Sequence, residues 1–466
     1  MPFTIGELSV KIRNRSISPV ELTHQCLDRI AKLNPVLNAF ITVTAESALE
    51  RARLAEREIY RGTYLGPLHG IPIGLKDIID VAGVPTTAAS AMFKDRMPTE
   101  DAQVVRRLRC GGAIFLGKQN MHEFAYGGSS TISYYGEVHN PWDIARVAGG
   151  SSGGSAASVA AGLGYAAIGT DTAGSVRLPA AFCGIVGAKP TFGRISTRGI
   201  IPLSSSYDHV GALTTCVYDA ALVMQVLSDY NSPNPCGEKP APSLMTAFDE
   251  FPKNLRIGIP RAYFFDDLDP EISAAIEKAI QVFAGFHAEI HDITLDVPTD
   301  RTLSQAEAYA YHKVFIDRSP ELYQPATLKR VKSGANIAGL DALRASHELQ
   351  VIRHDIQQIF DKADILLTPT VAIQPPRIAD LQANPENLRP QELLMLRNTR
   401  PFNVWGIPAI SVPCGFTKTG LPIGLQLAAA PWHGVVLLQA AQAYEQATSW
   451  HKMAPKLAEL SESTSR

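Results

Sequence analysis

The run Gly149-Gly150-Ser151-Ser152-Gly153-Gly154-Ser155 packs three hydroxyls and four glycines into seven residues. A serine oxygen becomes a nucleophile when a neighbouring base takes its proton during attack, so hydroxyls in series leading to a base are a possible catalytic device. Three other readings compete with it. Gly/Ser runs commonly serve as flexible linkers, but this one passes directly into the alanine-rich SAASVAAGLG. A phosphate loop needs a glycine turn closed by Gly-Lys-Ser/Thr, or GxGxxG after a strand, and neither is present. Gly150 to Gly154 matches the GxSxG nucleophile elbow with Ser152 at its centre. That motif requires a buried strand before it, and NPWDIARVAGG does not read as one.

Segments on either side of the loop carry more information. GTDTAGSVRLPAAFCGIVGAKPTFGR (169–194) lies downstream, with GIPIGLKDIID (70–80) and LGKQNMHEFAYGGSS (116–130) upstream. DHVGALT (208–214), PFNVWGIPAISVPCGF (401–416) and GLPIGLQ (420–426) complete the set. In this order, and over nearly the full chain, these segments resemble the amidase signature family. The resemblance implies hydrolysis of a carboxylic amide C–N bond in a linear amide, with esters or carbamates as variants, and no cofactor or metal. Lys76 falls on the family's base, Ser151 on the bridging serine that follows a cis peptide, and Ser175 on the nucleophile that becomes acylated. The oxyanion is assigned to backbone N–H groups of Thr172, Ala173, Gly174 and Ser175. Glycine is commonest where Ala173 stands; its Cβ narrows the turn but removes no donor. Asp171 and Arg177 are expected to brace the turn.

An ordinary lysine keeps its proton to about pH 10, so Lys76 can act as a base only if its charged form is disfavoured. Burial has that effect, and Lys76 follows the apolar run Ile71-Pro72-Ile73-Gly74-Leu75. Asp77 next door opposes it unless its side chain is turned away.

For the substrate, Ala125, Tyr126, Gly127, Tyr207, Tyr309, Phe402 and Trp405 lie in segments that flank the site in the family pattern. The aromatics suggest an apolar pocket and uncharged amides, such as aryl amides or carbamates. The alternative is the glutaminase subunit of a tRNA-dependent amidotransferase, which shares the triad. It needs polar groups for the amino-acid part of glutamine, for which Arg353 and Arg400 are the charged candidates. A scaffold without activity is disfavoured by the intact Lys76, Ser151 and Ser175.

These side chains need a rigid frame. Thr4-Ile5-Gly6-Glu7 and Ser18-Pro19-Val20-Glu21 match the capping box, and a further amphipathic helix is expected from Ala45 to Tyr60. From His69 onward, IPIGLK, GAIFLG, GYAAIG and CGIVGAK read as buried strands alternating with helices such as Asp101 to Arg109. LRIGIP, DILLTPT and AISVPCGF continue the strands, and Val435 to Ala447 reads as a last helix. The fold class expected is α/β: a single large domain, residues 1–466, with a central mixed β-sheet covered by helices. Its parts are N-terminal helices (1–60), a catalytic core (61–230), a helical cap insert (300–360) and a return to the core (364–450). A proline-rich surface loop is expected at 229–242 and a disordered tail at 461–466.

Composition narrows the function classes. With 45% hydrophobic and 19% charged residues the chain can bury a large core, and a net charge of -2 without basic clusters argues against a nucleic-acid binder. The six cysteines and 12 histidines are scattered without metal-site spacing. No apolar run is long enough for a signal or a membrane span. The expectation is a cytoplasmic enzyme whose partner is a small-molecule amide, with no nucleic acid, no membrane and a homodimer as an open assembly state.

Overall fold

Short apolar runs set between glycines build the sheet. In chain order the strands are β1 (Phe40–Val43), β2 (Pro72–Lys76), β3 (Ile114–Gln119), β4 (His139–Asn140), β5 (Asp143–Val147), β6 (Ala166–Asp171) and β7 (Val186–Lys189). They continue with β8 (His209–Thr214), β9 (Arg256–Ile259), β10 (Glu289–Asp292), β11 (Ile365–Pro369), β12 (Ala409–Phe416) and β13 (Pro422–Ala429). This computed structural model describes residues 3–228, 243–246, 248 and 250–457, so the expected loop at 229–242 and tail at 461–466 lie outside the described residues.

Eleven strands form one mixed sheet in the order β1-β3-β2-β6-β8-β7-β12-β13-β11-β9-β10. β2 runs parallel to both β3 and β6, while β6, β8, β7, β12, β13 and β11 pair antiparallel in succession. β4 and β5 make a separate two-stranded hairpin. The segment before the Gly/Ser loop is therefore a strand, but its side chains stay half-buried except Val147, unlike the buried strand an elbow needs. Central strands are buried on both faces, β6 at every residue, as continuous apolar runs between helical layers require.

Capping chemistry fixes the helices on the flank. Thr4 accepts from Glu7 N while Glu7 reaches back, a full capping box on helix Ile5–Arg13. Ser18 accepts from Val20 N and Glu21 N with Pro19 at the first helical position, but its hydroxyl donates to Glu56 rather than closing a box with Glu21. Helices Thr302–Ile316, Pro325–Lys332 and Gly339–Asp355 fill the stretch between β10 and β11. The fold is thus one large α/β domain whose sheet runs through both halves of the sequence.

Candidate active site

β2 and β6 lie side by side and parallel, so their carboxyl ends open on the same edge, where α/β sheets commonly bind ligands. β2 ends in Lys76 and β6 in Thr170 and Asp171. The Lys76 Nζ, fully buried, donates to Ser151 Oγ at 2.8 Å and to Thr170 Oγ1 at 2.8 Å. Burial pushes its pKa down to about 7, against the carboxylates of Asp208 and Asp171, which favour the charged form. Asp77 is turned away: its Oδ2 accepts from Thr87 N, and its Oδ1 lies 3.1 Å from the buried Lys118 Nζ.

The Gly149–Ser155 run is no linker. The Gly150–Ser151 peptide is cis, and helix Gly153–Ala160 starts two residues later, buried along almost its whole length. Gly154 lies so close to its neighbours that a Cβ there would meet Asn120 O at 2.4 Å and Ala39 O at 2.5 Å. His122 N donates to Ser151 O and Ser152 N donates to Ser175 O, tying the loop to two further segments.

After β6 the chain turns through Thr172-Ala173-Gly174-Ser175 into helix Arg177–Cys183. Asp171 and Arg177 hold that turn from beneath. Asp171 accepts from Gly174 N at 2.8 Å, Val176 N at 3.1 Å and Arg177 Nη2 at 2.9 Å, all buried. The Arg177 guanidinium also donates to Thr399 O, Gln426 Oε1 and Asn403 Oδ1, and it holds the Asp171 carboxyl well below the usual carboxylate range despite burial. The Gly174 N–H is thereby committed to Asp171, which removes Gly174 from the expected set of oxyanion donors. Among the described residues, the N–H groups of Thr172, Ala173 and Ser175 have no acceptor. The Ser175 side chain likewise has no hydrogen bond among the described residues, so its link to Ser151 is not formed. Asp208, raised to about 6 by burial, accepts from Thr172 Oγ1, Leu203 N and Ser204 N.

A cavity of about 60 Å³ opens beside Ser175. Of the expected lining residues it brings together Ala125, Tyr126, Gly127, Thr172, Ala173, Ser175 and Tyr207. Phe402 and Trp405 do not reach it; both are buried in a second apolar cluster with Phe264. Tyr309 packs beside Gly334 and the main core instead. The sequence reading missed Leu203, Arg301, Ser304, Gln305, Arg389 and Leu396, and weighed Arg400 without placing it in the cavity. The lining is mainly apolar, as expected, but three guanidiniums stand in it that the aromatic pattern did not suggest. Arg353 lies elsewhere, donating to Val404 O and Ser206 O over the Phe192 ring. The wall at Tyr126 is fixed by Arg330, which donates to Tyr126 O at 2.6 Å and pairs with the buried Glu392 at 2.7 Å.

Among the described residues no helix is long and apolar enough to cross a membrane, and no group of three or more His, Cys, Asp or Glu side chains is arranged to hold a metal ion.

Comparison with known proteins agrees with this architecture. A family model described as Amidase matches residues 21–438. A glutamyl-tRNA(Gln) amidotransferase subunit from Moorella thermoacetica is 38% identical over 97% of this chain and 98% of its own length. A chain solved in a study of a vestigial protein complex and the evolutionary origins of an s-triazine catabolic enzyme is 32% identical with a TM-score of 0.87, over 96% of this chain and 99% of that one. A 6-aminohexanoate cyclic dimer hydrolase solved with its substrate is 31% identical with a TM-score of 0.86, over 98% and 99%. Relatives that are amidotransferase subunits or occur in a protein complex overturn the expectation of a small-molecule amide as the sole partner, with nucleic acid excluded.

Proposed function

The chain belongs to the amidase signature family, and from that premise we propose that it hydrolyses a carboxamide through an acyl-enzyme on Ser175, as the ammonia-releasing subunit of a larger assembly. The observation that carries the proposal is the buried Lys76 amine at 2.8 Å from Ser151 Oγ, behind a cavity lined by Ser175. A lysine with its pKa near 7 is substantially neutral at physiological pH and can accept a proton.

Ser175 Oγ attacks the amide carbon, its proton passes to Ser151, and the Ser151 proton passes to Lys76. The tetrahedral oxygen, now negative, takes hydrogen bonds from the free N–H groups of the Thr172–Ser175 turn, each donor worth about 3–4 kcal/mol. The proton returns through Ser151 to the departing nitrogen, and the C–N bond breaks. Water enters along the same relay, adds to the ester carbon and releases Ser175. The Ser175 hydroxyl is free in the structure; such contacts often tighten only with substrate in place.

The assembly is supported by relatives named as glutamyl-tRNA(Gln) amidotransferase subunits, which match over nearly their full length. Glutamine and shorter acid amides are the first substrates to assay. Tagged protein recovered from its native cells should elute in a complex and release ammonia faster there than as the isolated chain. A single chain in native extract, fully active on its own, would overturn the assembly reading and leave a free-standing amidase.

A further inference from the structure

We infer that the cavity beside Ser175 selects acid amides that carry a carboxylate and no ammonium group, with Arg301, Arg389 and Arg400 as the anion-binding side chains. This rests on the amide-hydrolase reading above and specifies its substrate.

Three guanidiniums line the cavity and no carboxylate does. Among the described residues, only Glu392, near Arg389, and Asp300, near Arg400, offset their charge from behind. Arg301 has no hydrogen bond or ion pair from its side chain among the described residues. Arg400, 7% exposed, donates only to the backbone oxygens of Pro298 and Asp300. Arg389 lies over the Tyr126 ring and 3.8 Å from Glu392 Oε2, an oxygen that Arg330 already holds at 2.7 Å. Nearby carboxylates are engaged elsewhere: Asp300 with Thr302 N and Oγ1, Glu307 with Ser204 and Ser206, Asp208 with Thr172.

The cost of that arrangement is visible in the groups themselves. Burial, and after it the neighbouring Arg400, pushes Arg301 down to about 10; burial and Arg330 do the same to Arg389. Partly buried cations with little counter-charge gain most from an anion, and guanidinium matches carboxylate in a two-point fork. A substrate ammonium would face the same three cations, and the side-chain acceptors in the lining, among them Tyr126, Ser304 and Gln305, are all neutral. The carboxylate sits on the arginines and the amide carbon on Ser175, with the Thr172–Ser175 turn around its oxygen.

The test compares glutaramate with pentanamide, which replaces the carboxylate by methyl, and with glutamine, which adds the ammonium. Ammonia release by the full-length wild type should favour glutaramate over pentanamide by about 100-fold in kcat/KM, and glutaramate over glutamine. Arg301→Gln and Arg400→Gln should raise KM for glutaramate more than they lower kcat, collapsing the ratio, while Arg301→Lys restores part of it. Pentanamide as good as glutaramate, or glutamine preferred, overturns the inference. Binding to Ser175→Ala, measured by calorimetry, leaves every arginine in place: equal affinity for glutaramate and pentanamide also overturns it. Should no amide be hydrolysed while Ser175→Ala still prefers glutaramate, the hydrolase reading fails and the anion site stands.

Discussion

Lys76 Nζ and Ser151 Oγ lie 2.8 Å apart, and neither side chain is exposed to solvent. The pair sits where the carboxyl end of β2 meets the loop entering helix Gly153–Ala160, so sheet and helix together fix a distance that a flexible loop could not. With Asp77 drawn to Lys118, the carboxylates that favour the charged amine are Asp208 and Asp171, and burial outweighs both.

The first consequence is a pH profile. Only neutral Lys76 accepts a proton, so kcat/KM should rise tenfold per pH unit below about 7 and level off above it. Lys76→Ala should lose several orders of magnitude, and Lys76→Arg should be equally inactive because a guanidinium stays protonated. A flat wild-type profile between pH 5 and 8 would remove Lys76 from the role of base.

Asp208 tunes that limb. Its carboxylate favours the charged amine, so Asp208→Asn should lower the Lys76 pKa and move the rising limb to more acidic pH. Asparagine keeps an oxygen for the Leu203 and Ser204 N–H groups, and its amide N–H can donate to Thr172 Oγ1, which turns from donor to acceptor. A limb that stays in place, in a variant of wild-type thermal stability, would show that Asp208 does not reach Lys76 electrostatically.

The two serines should separate experimentally. Ser175→Ala removes the acylated oxygen, so turnover and labelling by a fluorophosphonate should both vanish. Ser151→Ala keeps that oxygen but breaks the path to Lys76, so labelling should persist at a rate lower by about 10²–10⁴. Labelling of Ser151→Ala at the wild-type rate would mean that Lys76 serves Ser175 directly.

Most of the frame for this site was legible in the sequence, and the reasons are local. IPIGLK, GYAAIG and AISVPCGF are apolar runs too short for helices and bounded by glycine or proline, and each is a strand. His209–Thr214 and Pro422–Ala429 were recognised as motifs rather than strands, although both are buried along their length. Phe402 and Trp405 misled because an aromatic beside a motif looks the same in sequence whether it faces core or cavity. Arg301 stayed hidden for the opposite reason. A charge at the start of a charged helical stretch reads as solvated, and only the packing of helix Thr302–Ile316 against the turn at Leu203 to Tyr207 brings it to the cavity.

The Gly/Ser loop owes its rigidity to contacts with backbone. Gly154→Ala would drive a methyl into the carbonyl oxygens of Asn120 and Ala39, neither of which can rotate away. Overpacking of this kind costs about 1–3 kcal/mol, and the displaced helix carries Ser151 with it. Thermal unfolding should show the loss, and kcat should fall with it. Ser155→Ala makes the comparison: it removes the hydroxyl that donates to Gln119 Oε1 but adds no atom, so its kcat should stay closer to wild type. Wild-type stability in Gly154→Ala would contradict the packing argument.

A last test concerns stability and lies far from the cavity, in helix Gly434–Ala447. Glu445 accepts from Val217 N at 3.0 and 3.1 Å, yet burial pushes its pKa up to about 8, with Asp219 adding to the rise. A folded-state pKa above the unfolded one means that the protonated form is favoured by folding. Its contribution is complete below about pH 4.5 and is lost as pH rises through about 8. Asp219, raised to about 6, has the same sign but is spent earlier. Lys76, lowered to about 7, acts in the opposite direction above that pH, because there the unfolded chain binds the extra proton. Glu445→Gln retains an acceptor for Val217 N and cannot ionise, while Lys76 stays the same in both proteins. The difference between the two denaturation curves therefore isolates Glu445: between pH 6 and 8.5 the wild type should lose stability relative to the variant. A constant difference across that range would mean that the Val217 N–H holds the carboxylate ionised in spite of its burial.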